Sequence, residues 1–193
     1  MTLRLHNKKI IMLYALFLCP FISSAQNEQA VGVGWGYAPV ANAIFWPSGY
    51  PDGPEYRWRI SSPGSLSVQF DVVRKSWLTS SFILDAAYLN AVYDGPKITN
   101  IYDRTIVSAL HMWKFSYLNR ESWQLYSSAG IGIMWGSNRH RGVEGADLKV
   151  LPAFQLVPVG VRYGRRYCVF AETEIGMSQL GLRLGVCYRF NTL

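Results

Sequence analysis

Few residues in this 193-residue chain could do chemistry, and most of them stand at every second position of an apolar stretch. Glu172 and Glu174 are two apart, with Arg162 upstream and Arg183 and Arg189 downstream; Asp71 and Asp85 stand in earlier segments. Nothing in that spacing marks a hydrolytic dyad. His111 has Ser108 and Ser116 on the same segment, but a nucleophile triad needs histidine, serine and a carboxylate on one patch, and no such spacing is visible. His140, between Arg139 and Arg141, reads as a solvated loop residue. Cys168 and Cys187 are the last two of three cysteines. No metal-ligand cluster or phosphate-cradling glycine motif occurs, so no cofactor is expected.

The elements carrying these residues alternate with a period of two, which is the signature of strands with a different environment on each side. In the last segment Leu180, Leu182, Leu184, Val186, Tyr188 and Phe190 share one face, while Gly181, Arg183, Gly185, Cys187 and Arg189 share the other. Seven earlier segments repeat the pattern. Val31 to Tyr37 oppose valines and aromatics to glycines, Leu66 to Val72 oppose apolar residues to Ser67, Gln69 and Asp71, and Phe82 to Tyr88 set Asp85 inward. The fourth, about Arg104 to Tyr117, is apolar on both faces; the fifth runs from Trp123 to Trp135. The sixth puts Val157, Val159, Val161 and Tyr163 outward against Pro158, Gly160 and Arg162, and the seventh opposes Tyr167, Val169, Ala171, Thr173 and Ile175 to Cys168, Phe170, Glu172 and Glu174.

Eight antiparallel strands make the smallest common outer-membrane barrel, with an apolar outer face and a polar interior. Connections at Arg74–Trp77, Leu118–Glu121 and Gly164–Arg166 are tight, whereas Pro39–Gly64, Tyr93–Asp103 and Gly136–Leu151 are long; only Met177–Gln179 breaks the rule. Trp77, Phe115, Tyr117, Trp123, Tyr163, Tyr167, Tyr188 and Phe190 fall by the tight turns or the C-terminus, and Trp35, Tyr37, Tyr88, Tyr93, Tyr102 and Trp135 by the long loops, as two interfacial belts require. Arg4, Lys8 and Lys9, the apolar run Ile10–Ile22 and Ser23-Ser24-Ala25 have the layout of a signal peptide over 1–25, leaving a barrel domain over 26–193. That run is too short to span a membrane as a helix, which needs about 20 residues. Removing the leader's three basic residues, with no acids among them, takes the formal charge from +7 to +4, an excess suited to anionic headgroups.

The terminal Tyr188-Arg189-Phe190 on its alternating strand resembles the signal read by the barrel assembly machinery. With Leu125–Gly132, Phe154–Gly160 and Phe170–Gly176, it makes the chain resemble the small OmpX- and OmpW-like eight-stranded outer-membrane barrels. Asn191-Thr192-Leu193 depart from the pattern by extending past the terminal aromatic. The resemblance implies an all-β, up-and-down transmembrane barrel in the Gram-negative outer membrane, monomeric, in contact with lipid and lipopolysaccharide. It implies a location and an architecture rather than an activity; from the residues, no enzymatic turnover and no nucleic-acid partner are expected.

An eight-stranded barrel is filled by its own side chains, so no wide pore is expected. The inward set Asp71, Asp85, Arg162, Glu172, Glu174, Arg183 and Arg189 must then pair within the lumen, because a lone buried charge costs several kcal/mol. A two-residue turn at Met177-Ser178 would set Cys168 opposite Cys187 and Glu172 opposite Arg183, a candidate disulfide beside an ion pair; a four-residue turn would instead oppose Glu174 to Arg183 and part the sulfurs. The long loops bring arginine beside aromatics: Arg57, Trp58 and Arg59 in the first, Arg139 and Arg141 in the third, candidate contacts for glycolipid phosphate or a protein. A structural or surface-interaction role is therefore expected. The alternatives are a narrow conduit or apolar-ligand site at the barrel mouth, a lipid-modifying enzyme built on His111, and a soluble lipocalin-like barrel with its faces inverted.

Overall fold

The computed structural model describes residues 28–37, 57–94, 99–140 and 147–191, and side chains within these except at 57, 58, 60, 99, 100, 140, 147 and 191. Nine segments form one antiparallel sheet: β1 (Glu28–Gly36), β2 (Arg57–Ser61), β3 (Ser65–Lys75), β4 (Leu78–Asp94), β5 (Thr99–Asn119), β6 (Trp123–His140), β7 (Asp147–Tyr163), β8 (Tyr167–Gly176) and β9 (Leu180–Asn191). β1 pairs with β3 on one side and with β9 on the other, β2 and β3 both pair with β4, and from β4 to β9 each segment pairs with the next, so the sheet closes on itself. Segments β2 and β3 are thus two parts of one strand, giving an eight-stranded up-and-down ring. The break between them is made by Pro63 and by Gly64, whose φ of 96° suits glycine alone. There the Trp35 indole donates to the Pro63 carbonyl at 2.8 Å, which ties the break to β1.

Alternation places the core inside the ring. On β1 to β4 the outward positions Val31, Val33, Trp35, Leu66, Val68, Phe70, Phe82 and Leu84 are all exposed, while Gln69, Asp71 and Asp85 are buried in the lumen. The same phase holds on β8 and β9, where Val169, Ile175, Leu182, Leu184 and Val186 face out. A soluble barrel would put these residues inside. The inverted lipocalin-like arrangement is therefore overturned by the faces themselves.

Three expectations need correcting. The long-loop ends of the strands extend further than the alternation suggested: β5 has 21 residues, roughly twice the 9–11 that cross a bilayer. Arg57–Arg59 and Arg139 thus belong to strands rather than loops, and Tyr93 and Tyr102 lie buried inside the wall instead of in an outer aromatic belt. The third correction concerns β7. The ladder shifts register between Leu156 and Gly160, where Pro158 and Val159 form a bulge. Proline has no N–H to give a ladder and is confined to such sites. The bulge reverses the phase, so that Val157 is fully buried in the lumen while Val159 faces out. Thr173 mends the gap, its hydroxyl accepting from Val159 N–H at 3.2 Å and donating to Val159 C=O at 3.1 Å.

Candidate functional site

The lumen has two compartments. Along β4 to β7 its wall is apolar: Ile83, Leu89, Ile106, Leu110, Met112, Met134, Ala153 and Val157 form one buried cluster. Met177, from the β8–β9 connection, packs against it. The mixed fourth segment of the sequence has this cause, since β5 faces apolar surroundings on one side and this inner cluster on the other. The opposite compartment, towards the tight turns, is polar and charged.

Its centre is an alternating chain of ions. Arg162 meets Asp71 at 2.5 Å, and Lys114 lies 3.3 Å from Asp71 and 3.6 Å from Glu172. Arg183 pairs with Glu172 through Nη2 and reaches Glu174 at 3.1 Å. Glu172 also accepts the Tyr126 hydroxyl at 2.5 Å, and Asp71 accepts Ser81 at 2.5 Å. All six charged side chains are almost wholly buried. Three cations thus face three anions, and the formal charges of the six cancel. Pairing of this kind is what a low-dielectric interior demands, because a carboxylate or guanidinium left alone there costs several kcal/mol.

Two local features make room for the chain of ions. Gly160 sits under the Tyr126 ring, and a Cβ at that position would stand 2.4 Å from it. The bulge brings Gly160 into the lumen opposite Tyr126 and Glu172. The register of β8 and β9 pairs Glu172 with Arg183 and Cys168 with Cys187; the two sulfurs are bonded, with Cα atoms 4.9 Å apart.

Sequence reasoning named Asp71, Arg162, Glu172, Glu174 and Arg183, which the structure brings into one network. Asp85 and Arg189 stand apart from it. Asp85 lies towards the long-loop end, where it accepts Ser178 at 2.6 Å; Ser178 shares a second hydrogen bond with Ser108 at 2.8 Å. The next residue, Gln179, donates its side-chain amide to Ser65 at 2.6 Å, and its backbone carbonyl accepts Gln155 at 3.1 Å. The β8–β9 connection is therefore folded into the barrel as a plug. Arg189 occupies the tight-turn mouth, 3.8 Å from Glu28 and 3.3 Å from Gln124. Lys114 and Gln69, central to the network, were not singled out from the sequence. Their signal was a lysine and a glutamine inside otherwise apolar segments, which can only face a lumen.

His111 faces outward, with Ser80 Oγ at 3.4 Å and the Trp113 ring edge-on at 4.7 Å. Ser108 and Ser116 point to the other side of the wall. The serine–histidine arrangement considered from sequence is thus not assembled. Of the outer arginines, Arg59 is exposed and bridges Asp94 at 2.6 Å, and Arg139 is exposed. The side chains of Arg57 and Trp58, all of Arg141, and the leader over 1–25 lie outside the described residues.

Comparison with solved structures agrees with this architecture. The chain superposes over 86% of its length on the whole N-terminal β-barrel domain of Pseudomonas aeruginosa OprF, with a TM-score of 0.51 and 11% sequence identity. It covers all of Ail, the attachment invasion locus protein of Yersinia pestis, over 87% of this chain, at a TM-score of 0.48 and 12% identity, too loose a likeness to support any argument. The first likeness establishes a shared barrel fold and nothing more. No protein-family model matches the sequence, and no curated protein is significantly similar to it.

Proposed function

We propose that this chain is a monomeric integral barrel of the Gram-negative outer membrane, with a structural or surface-interaction role and a lumen closed to solutes. The observation carrying the reading is the pairing of an apolar outer wall with a filled interior. Exposed Val, Leu, Phe and Trp ring the barrel, while the lumen is crossed by the Asp71–Arg183 ion chain and blocked by Ser178 and Gln179. Such a wall is stable against hydrocarbon and unstable in water. The barrel fold shared with the N-terminal domain of OprF is the fold this reading requires.

In this reading the tall strands β4 to β7 rise beyond the hydrocarbon on the cell-surface side. Several of their outward polar residues there are tied together: Arg59 to Asp94, and Tyr88 and Asn90 to Asp103 at 2.7 and 2.9 Å. Arg59 and Arg139 would meet lipopolysaccharide phosphates or a surface partner, and Tyr188 and Phe190 would present the terminal strand to the barrel assembly machinery. The test is planar-bilayer recording of purified, refolded protein. Insertion without stepwise conductance is expected; stable steps of nanosiemens size would overturn the closed lumen.

A further inference from the structure

At the tight-turn end of the barrel an apolar groove and a cationic cleft share one rim. The groove, about 730 Å³, lies on the outward wall of β7 to β9 between Val161, Tyr163, Val169, Leu184 and Val186, with Ala171 as its floor. It exists because Ala171 is small between Val161 and Leu184 on the adjoining strands and beside Val169 on its own. The cleft, about 770 Å³, crosses the mouth and is lined by Arg120, Arg165, Arg166 and Arg189 against Glu28 and Glu121. Arg165 is matched by Glu121 at 2.7 Å and Arg189 lies 3.8 Å from Glu28. Among the described residues neither Arg120 nor Arg166 has a carboxylate partner; Arg166 donates to the Tyr188 hydroxyl at 2.7 Å and sits 5.4 Å from the centre of its ring.

The two sites are joined by short stretches of chain. Tyr163 borders the groove and is separated by Gly164 alone from Arg165 and Arg166; Trp123 borders it from the turn that carries Arg120. Trp123 and Tyr163 themselves pack at 4.7 Å, as aromatics do at a membrane interface. An apolar slot ending at two uncompensated guanidinia is complementary to one kind of molecule, an acyl chain bearing an anionic phosphate.

We propose that this rim is a specific site for an anionic phospholipid of the leaflet on the tight-turn side, its acyl chain along Ala171 and its phosphate on Arg120 and Arg166. The proposal rests on the membrane reading above and adds a lipid preference to it. The uncompensated pair selects phosphatidylglycerol over phosphatidylcholine, whose own cation neutralises the phosphate.

The test is quenching of tryptophan fluorescence in vesicles containing brominated phosphatidylglycerol or brominated phosphatidylcholine, with Trp123→Phe subtracted to isolate the local signal. About tenfold stronger relative binding of the glycerol lipid is expected. It should fall to near unity in Arg120→Gln/Arg166→Gln, and binding of both lipids should drop in Ala171→Ile, which fills the slot. Equal quenching by the two lipids, or selectivity that survives the arginine changes, overturns the proposal. So does competition by millimolar inorganic phosphate with no effect of Ala171→Ile, which would mark a free-anion cleft. Each variant is first checked for the heat-dependent gel shift of a folded barrel. Loss of that shift in the unaltered chain would refute the membrane reading itself, and its presence without lipid selectivity refutes this site alone.

Discussion

Removing one charge from the lumen should be far more damaging than removing an opposed pair. Lys114 and Glu172 are the sharpest case, with Nζ and Oε1 at 3.6 Å and both side chains at most 3% exposed. At an effective dielectric of about 20, that separation corresponds to a gross attraction of about 4–5 kcal/mol. Glu172→Gln leaves three buried cations facing two anions, and Lys114→Met leaves two facing three. Each single change should cost about 3–5 kcal/mol, most of it the penalty of the charge left behind. The double variant restores equality and leaves two short pairs intact, Arg162 with Asp71 at 2.5 Å and Arg183 with Glu174 at 3.1 Å. It should be less destabilised than the sum of the singles by about 1–3 kcal/mol. The assay is equilibrium urea unfolding of protein folded into phospholipid vesicles, followed by tryptophan fluorescence. Single variants within about 1 kcal/mol of the parent, or strictly additive losses in the double, would refute the view that this is one balanced network.

Thiol titration of unfolded, unreduced protein should find neither Cys168 nor Cys187 free, and Cys168→Ala/Cys187→Ala should lower stability by about 3 kcal/mol for a loop of this length; two reactive thiols would contradict the bonded pair. Gly160→Val places carbon atoms into the Tyr126 ring and should cost about 2–4 kcal/mol in the same urea assay, whereas Gly181→Ala, where added carbon meets open space but φ is 110°, should cost about 1–2 kcal/mol through the backbone alone. Ser178→Ala/Gln179→Ala removes the hydrogen bonds that hold the plug to Asp85 and Ser65, and should turn a silent barrel into one with measurable small-ion conductance; unchanged silence would show that the ion chain alone closes the lumen.

The ring itself was readable because a wall between two environments imposes a strict period on every strand. From Leu182 to Cys187 the residues alternate between apolar outward positions and less exposed inward ones, with Arg183 and Cys187 buried. What escaped reading was tertiary. The alternation alone left two registers open for the last hairpin. The structure takes the one pairing Cys168 with Cys187 while leaving Gly176 to Gln179 out of the β8–β9 ladder, because Ser178 and Gln179 find buried partners on β3, β4, β5 and β7. Those partners are distant in the chain and leave no local trace. The phase reversal on β7 did leave one, in Pro158, a residue that cannot donate to the ladder and so signals a bulge. Lys114 was obscured by its own strand: Ile106, Leu110 and Met112 share its inward face, so the face looked apolar and the lysine looked incidental.

The central claim is a closed barrel whose apolar face meets lipid. Gel mobility of the protein from outer-membrane fractions, with and without boiling in detergent, tests it most directly. A compact, faster-running unboiled band found in that fraction is the predicted result; a soluble periplasmic species with no mobility shift would contradict it.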